Sequence, residues 1–289
     1  MIPPVVDVKK AVGFVYPTEK YTYELDKNFA AFPTYPLVLP LKGATSDINS
    51  YAERSKGVPI PGVPEINLNR LVHGEQYLEI LAPIPLEGTF KLEGVLSGVY
   101  DAGKGMIMDR ESIVVDESGK AIVKMVSSTF IIGAGGWGGP HKPKPTNVVA
   151  PPKREPDAVQ EDTTTTHQAL LYRLSGDYNP LHVDPSIGAR LGMKGVILHG
   201  LCTFGISAGA VLRNFGNDDP TVFKSIYGRF ASPVYPGETL QTVMWKVKEE
   251  AGLVTVAYIT KVKERNVVVI GNGTVILHSS ALEESKAKI

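Results

Sequence analysis

The chain has 289 residues, of which 43% are hydrophobic, and its 30 basic residues balance its 30 acidic residues. That length can bury a sizeable core in one large or two ordinary domains, and the even charge argues against nucleic acid or an anionic membrane surface as a general partner. Cys202 is the single cysteine, which excludes an internal disulfide and a thiolate metal cluster, and no apolar run is long enough for membrane insertion.

The N-terminal part of the chain starts without regular periodicity and then becomes rich in β-forming residues. We predict a short strand at 21–25 and a short helix at 45–54. Three prolines within the apolar segment 29–41 exclude a single long helix there. Further along, turn residues separate four predicted strands, at 77–81, 90–99, 111–115 and 122–132.

A glycine- and proline-rich tract, GAGGWGGPHKPKP at 133–145, follows these strands. It lacks the strand–loop–helix setting of a phosphate-binding loop, so its composition favours a linker. The sequence therefore divides into an N-terminal unit at 1–133, a linker at 134–160 and a C-terminal unit at 161–289.

The C-terminal unit has the clearer pattern. A helix is predicted at 167–174, and apolar residues at 201, 204, 208, 211, 212 and 215 have the spacing of a second, longer helix. Four strands are predicted at 224–235, 240–248, 253–263 and 267–278. Similar hairpin starts and closing strands in both units suggest a duplicated α+β unit, each a curled antiparallel sheet around a helix, although two unrelated β-meanders could mimic this pattern.

Between the two predicted helices lies the stretch with the most chemically capable side chains. Asp177, Asn179 and His182 lie close together, and Gly176 and Pro180 indicate a bent loop. Taken singly, these residues are explained by turn chemistry or by a buried core histidine. Taken together, a carboxyl, an amide and an imidazole on one loop suit acid–base chemistry on a polarised carbonyl compound.

The long helix begins at Gly200, directly after this stretch. A glycine at a helix start leaves its N–H bare at the positive end of the helix dipole. Such a donor can stabilise an oxyanion that develops on a substrate carbonyl.

Four sequence blocks resemble the type 2 enoyl-CoA hydratases, the (R)-specific members of the MaoC-like group. The blocks are YRLSGDYNPLH at 172–182, ILHGLCTFG at 197–205, GRFASPVYPGETL at 228–240 and LVHGEQYLEI at 71–80. The resemblance implies a double hot-dog fold and the hydration of trans-2-enoyl-CoA to (3R)-3-hydroxyacyl-CoA in peroxisomal fatty-acid β-oxidation. In that family the unit is often part of a multifunctional protein. The sequence contains no dehydrogenase segment, so it is either a free-standing form or an excised portion.

The resemblance assigns catalytic roles to residues of the loop and of the helix start. The acid–base pair falls on Asp177 and His182, Asn179 would hold the water or the substrate, and the Gly200 N–H would donate to the oxyanion. Which of Asp177 and His182 handles which proton stays open at this point.

The resemblance also implies a set of acyl-CoA contacts, which falls on His73, Gly74, Tyr178 and Phe230. The family has a lysine in the turn at 101–105, but counting along this turn places Ala102 at its position here. Lys104, two residues later, is the remaining candidate for the CoA phosphates.

The expected partner is therefore an acyl-CoA substrate, without metal or redox cofactor, and a homodimer is a candidate assembly. The final residues Ala287, Lys288 and Ile289 resemble the peroxisomal tripeptide and predict an import receptor as partner and the peroxisome as location. Two alternatives stay open: an acyl-CoA thioesterase and a non-catalytic acyl-CoA binder. Cys202 lies within the apolar helix, where a buried structural thiol is more common than a nucleophile.

Overall fold

The computed structural model of the chain describes residues 19–42, 63, 66, 70–146, 148–190 and 192–279. The predicted helix at 45–54 and the C-terminal tripeptide at 287–289 lie outside these residues. The strands are β1 (Leu71–Ile80), β2 (Lys91–Asp101), β3 (Gly105–Val115), β4 (Ala121–Ile132), β5 (Ala158–Thr163), β6 (Phe223–Phe230), β7 (Thr239–Glu250), β8 (Leu253–Val262) and β9 (Val267–His278).

The helices are α1 (Leu39–Lys42), α2 (Gln168–Arg173), α3 (Pro185–Arg190) and α4 (Gly200–Phe215), together with short 3₁₀ turns. None of the helices in the described part of the chain has the length and apolar character needed to span a membrane.

All nine strands form one antiparallel sheet in the order β2-β3-β4-β1-β6-β9-β8-β7-β5. The two predicted sheets therefore exist, but they meet edge to edge. The seam is the pairing of β1 with β6, where Tyr77 lies opposite Tyr227 and Glu79 opposite Ser225. This pairing satisfies the backbone groups of two strands that would otherwise be exposed edges.

Helix α4 fills the concave face of the second half. Its residues from Leu201 to Leu212 are all buried, as expected for a helix that is covered on every side. Phe204, with no exposed surface, lies next to Gly228 of β6, where an added Cβ would come within 3.1 Å of the phenylalanine ring. The predicted curled sheet around a helix is confirmed for this half.

The first half has no comparable helix among its described residues. The apolar segment with three prolines forms the 3₁₀ turn Tyr35–Val38 and the single turn α1. The predicted strand at 21–25 was wrong, because the 3₁₀ turn Glu19–Tyr21 and further turns occupy this region. Its Tyr21 ring is buried, and the hydroxyl donates to the Asp218 carbonyl in the other half. The segment is thus held by a contact with a distant part of the chain and not by pairing with a strand, and the local sequence cannot reveal such a contact.

The described residues of the predicted linker that precede β5, 134–146 and 148–157, contact the sheet at several points, and we call them the strap. The Asp101 carboxylate at the end of β2 accepts hydrogen bonds from the N–H groups of Gly136, Gly103 and Gly138. These donors, that of Gly136 first, lower the pKa of Asp101 to about 2. The glycines of the strap thus allow a close backbone approach to the turn between β2 and β3.

Lys142 fixes the middle of the strap. Its ammonium group contacts the Glu75 carboxylate at 2.8 Å, the Asp109 carboxylate at 2.9 Å and the Ser128 hydroxyl at 2.6 Å. These side chains come from β1, β3 and β4, so one lysine ties three strands together. The last three residues assigned to the linker belong to β5, which pairs with β7.

Candidate functional site

A cavity of about 620 Å³ lies at the seam between the two halves. Its walls come from the start of β1, the loop after α2, the start of α4 and the segment that follows β6. Seven predicted site residues line it: His73, Gly74, Asp177, Asn179, His182, Gly200 and Phe230. The seam thus brings together residues that are up to 157 positions apart in sequence.

Local hydrogen bonds shape the loop between α2 and α3. Gly176 has a φ of 112°, a conformation that other residues rarely adopt, and it turns the chain after α2. Asp177 Oδ1 accepts from the Asn179 N–H at 3.2 Å, and Asn179 Oδ1 accepts from the Leu181 N–H at 3.0 Å. The turn chemistry considered above is therefore real, and it holds Asp177 and Asn179 at the cavity wall.

His182 is buried with one ring nitrogen engaged. Its Nδ1 lies 2.9 Å from the Ile197 carbonyl oxygen, which can only accept, so Nδ1 carries the proton. The Nε2 lone pair is then available as a base. Burial lowers the pKa of His182 from its usual value, and the negative charge of Asp177 opposes this only in part. The ring is consequently neutral near pH 7, as a general base must be.

His199 is a member of the site that the sequence predictions did not include. Its ring stacks on that of His182, with centroids 3.6 Å apart and planes 27° from parallel. Its Nε2 donates to the main-chain oxygen of Asp177 at 3.2 Å. Burial, and then the proximity of His182, lower the pKa of His199 to about 3. The position of His199 directly before Gly200 was the sequence feature that pointed to the site. Its ring contact with His182, 17 residues away, cannot be predicted from sequence spacing.

Gly200 opens α4, as predicted, with His199 as the N-cap. The first N–H groups of a helix have no partner within it, and among the described residues no acceptor is found for the Gly200 N–H. An added Cβ at Gly200 would come within 3.1 Å of the Phe230 ring. The glycine therefore lets Phe230 approach the bare donor, and Phe230 in turn contacts the His73 ring at 4.8 Å.

Two predicted substrate contacts do not line the cavity. The Arg173 guanidinium lies over the Tyr178 ring, 4.7 Å from its centroid. Lys104 lies on the turn between β2 and β3, whereas Ala102 on the same turn does reach the cavity wall. A role for either residue in binding CoA stays a prediction.

Several polar residues of the wall were missed. Glu75 and Ser128 line the cavity and bind Lys142 behind it, and Arg229 lines it from β6. Glu75 follows the bulge at Gly74, where the register between β1 and β4 shifts. Glu75 belongs to the block at 71–80, from which only His73 and Gly74 were predicted as site residues.

Asp177, His182 and His199 could in principle hold a metal ion, because one donor atom from each lies within 4.8 Å of the others. Two imidazoles that share an ion must direct their lone pairs to one point. The near-parallel stacking of the two rings places their lone pairs in nearly parallel planes instead. The arrangement is better suited to proton transfer than to metal binding.

Cys202 is fully buried in α4, and burial raises the pKa of its thiol well above the usual value. A thiol in this state is a poor nucleophile. The side chain behaves as part of the core.

Comparison with known proteins gives two family matches that together cover most of the chain. The MaoC-like domain matches residues 147–268, and the N-terminal domain of the MFE-2 hydratase 2 matches residues 9–133. A probable enoyl-CoA hydratase 2 from Dictyostelium discoideum is 40% identical over 89% of this chain and 84% of its own length. The chain belongs to the MaoC-like type 2 enoyl-CoA hydratase family.

Other members of this hydratase family differ in size. The peroxisomal multifunctional enzyme type 2 of Mus musculus is 42% identical over 89% of this chain, which spans about a third (33%) of the length of that relative. A MaoC-like dehydratase from Phytophthora capsici superimposes with a TM-score of 0.86 and 38% identity, covering 96% of this chain and 92% of that one.

The predicted double hot-dog fold is confirmed. A Mycobacterium tuberculosis protein described as having that fold superimposes with a TM-score of 0.50 and 13% identity, covering 73% of this chain and 76% of that one. At this identity the match supports the fold and nothing more. The single antiparallel sheet of this hydratase family member, with α4 against its second half, fits the same architecture.

Proposed function

We propose that the chain hydrates trans-2-enoyl-CoA to (3R)-3-hydroxyacyl-CoA. The observation that carries the proposal is one arrangement at the cavity wall: the free Nε2 of His182, the Asp177 carboxylate and the bare Gly200 N–H. Membership of the hydratase family supports the same reaction, since relatives over most of this chain are named enoyl-CoA hydratases.

Conjugate addition of water requires three events, and the site has a group for each. Negative charge grows on the thioester oxygen, where the Gly200 N–H at the positive end of α4 would stabilise it. A water attacks the β-carbon while His182 Nε2 takes its proton. That proton returns to the α-carbon through the pair of His182 and Asp177. One water thus supplies both the hydroxyl and the hydrogen, and the enzyme ends unchanged.

The cavity suits an acyl chain. Its volume of about 620 Å³ lies within the range of roughly 300–1,000 Å³ that is typical of small-molecule sites. Beyond the polar loop the walls combine polar side chains, Glu75, Ser128 and Arg229, with apolar ones that suit an acyl chain, among them Phe130, Leu201, Val234 and Val269. From the first half, Val72, Ile107 and Phe130 contribute to this apolar wall.

The pathway and the location are further parts of this proposal. Relatives from mouse, fly and Arabidopsis are named peroxisomal enzymes, which supports a role in peroxisomal fatty-acid β-oxidation. Import through residues 287–289 and assembly as a homodimer stay proposals. A fluorescent fusion with and without the tripeptide tests the first, and light scattering on the purified chain tests the second.

The deciding experiment is an assay with trans-2-enoyl-CoAs of several chain lengths, with chiral analysis of the products. We expect loss of the conjugated enoyl absorbance, formation of the 3R alcohol and no free thiol. Release of CoA thiol would instead identify a thioesterase. Tight binding of the enoyl-CoA without turnover would identify a non-catalytic acyl-CoA binder.

A further inference from the structure

His199 touches every member of the proposed catalytic group. Its ring covers one face of His182 at 3.6 Å, and its Nε2–H holds the main-chain oxygen of Asp177 at 3.2 Å. The peptide bond that it shares with Gly200 carries the N–H proposed as the oxyanion donor. One residue therefore connects the base, the carboxylate and the bare amide.

Packing alone does not account for an imidazole at this position. The ring is 1% exposed and lies between His182 and Tyr172, whose ring centroid is 4.8 Å away. Within the described residues its Nδ1 has no hydrogen-bond partner. Buried polar atoms are nearly always paired, and an unpaired one is destabilising. An apolar side chain of the same size would fill the space without that penalty, but it would leave the main-chain oxygen of Asp177 without the Nε2–H donor.

The stacking adds a constraint on the plane of the His182 ring. The ring is attached at Cγ and makes one hydrogen bond, from Nδ1 to the Ile197 carbonyl, which holds its position but resists small rotations about Cβ–Cγ only weakly. A flat, neutral ring against its face restricts that rotation. The direction of the Nε2 lone pair into the cavity is then fixed before the substrate arrives.

We propose that His199 is a positioning residue of this enzyme: its ring fixes the plane of His182, and its Nε2–H fixes the chain at Asp177. The inference rests on the proposed hydration but goes beyond it, because it assigns a role to a side chain that is outside the cavity wall. A displacement of catalytic groups by about 1 Å can lower turnover on the order of 100-fold. The effect should therefore appear in kcat and not in KM.

Three substitutions separate the two contacts. His199→Phe keeps a ring against His182, His199→Gln keeps an N–H donor for Asp177, and His199→Met keeps neither. We expect His199→Met to lower kcat about 100-fold with KM unchanged, and each of the other two to recover part of the loss. Wild-type kcat in His199→Met, or no recovery in either of the other variants, would overturn the proposal.

Ile206→Val is the matched control for loss of packing. Ile206 is 1% exposed in the same helix and does not line the cavity. It should lower the unfolding temperature slightly and leave kcat at the wild-type value. A loss of kcat in Ile206→Val as large as in His199→Met would show general sensitivity of α4 and overturn the role of His199.

A spectroscopic measurement separates this inference from the proposed function. In ¹⁵N NMR of the histidine rings, wild-type His182 should give sharp signals of the Nδ1–H tautomer, and His199→Met should give shifted or broadened His182 signals, because the plane of the ring is then less fixed. If the wild type hydrates no enoyl-CoA, the proposed function fails while this measurement still stands. An unchanged His182 signal in His199→Met would overturn the positioning role itself.

Discussion

The two halves of the molecule cover similar sheets in different ways. In the second half, α4 runs for 16 residues against β5, β6, β7 and β9 and begins at the cavity. In the first half, the described helical pieces before β1 are no longer than four residues, and a small group of side chains, Phe32, Tyr35, Leu37 and Val38, covers part of the sheet. The comparison separates two contributions to the cavity: the second half holds the proposed reacting groups, and the first half supplies mainly wall residues.

The strongest test of this difference between the halves is to remove the proposed reacting groups of the second half. Asp177→Asn and His182→Gln should each lower kcat by about 10²–10⁴-fold, the range for loss of a general acid or base. Both side chains lie at the cavity wall, so circular dichroism should stay close to wild type, while His182→Gln should lower the unfolding temperature modestly because it loses the stacking on His199. Near-normal hydration by either variant would show that the chemistry lies elsewhere.

The first half should respond to substitution mainly in stability. Lys142→Met leaves Glu75 and Asp109 as largely buried carboxylates without their cation. Removing one partner of a buried ion pair is destabilising by roughly 3–5 kcal/mol, and the solvent exposure here (16% for Lys142) places the expected loss at the lower end. Urea unfolding measures it.

Lys91→Met is the control for that substitution. Lys91 pairs with Glu93 on β2, and their side chains are 74% and 52% exposed. Such surface pairs contribute about 0–1 kcal/mol, so the unfolding free energy should hardly change. Equal losses in the two variants would mean that the strap does not depend on the buried cluster.

The dependence of the rate on pH sharpens the assignment of the base. Burial lowers the folded-state pKa of His182 below its ordinary value of about 6.5. Because Nε2 must be unprotonated to take a proton, kcat/KM should fall only as the pH drops through that lowered pKa. A profile of kcat/KM against pH should therefore have its acid limb centred below 6.5. A midpoint above 6.5 would contradict a buried neutral His182 as the base.

The unfolding free energy should also decrease as the pH falls. His73, His182 and His199 all have pKa values lowered by burial, so the unfolded chain binds their protons more readily than the folded one. The unfolding free energy should decline as the pH falls below about 6.5, down toward the value of about 3 for His199. Urea unfolding at several pH values measures this decline, and a flat profile between these limits would contradict it.

The smallest expected effect is that of Cys202→Ser. The thiol is fully buried in α4 and does not line the cavity, so kcat should stay at the wild-type value with at most a modest loss of stability. An inactive variant that remains folded would give the thiol a part in catalysis and would weaken the comparison between the halves.

Most strands and the long helix were predictable because their signals are local. Alternation and turn residues gave β9 at its observed bounds, and apolar spacing gave α4. The loop of Asp177, Asn179 and His182 could be singled out because its polar residues are close in sequence, and its catalytic role stays a prediction. What failed depends on distant contacts: Tyr21 binds across to Asp218, and the ring of His199 meets that of His182 only after the loop has folded.

The strap shows a different limit of sequence patterns. Its glycines and prolines favoured a linker at 134–160, yet composition could not show that Lys142 would be held between two carboxylates or that residues 158–160 would open β5. The joining of the two sheets was also missed. Strand patterns identify which residues are extended, but they do not say which edges will pair.

The pairing of β1 with β6 has a consequence for the integrity of the molecule. The ladder across this seam would survive a cut in the strap, because its hydrogen bonds run between Glu75–Glu79 and Ser225–Arg229 rather than along the covalent connection. A chain nicked by a protease between 143 and 157 should therefore elute as a single particle. Its two fragments would separate only in denaturant, as in proteins reconstituted from complementary pieces.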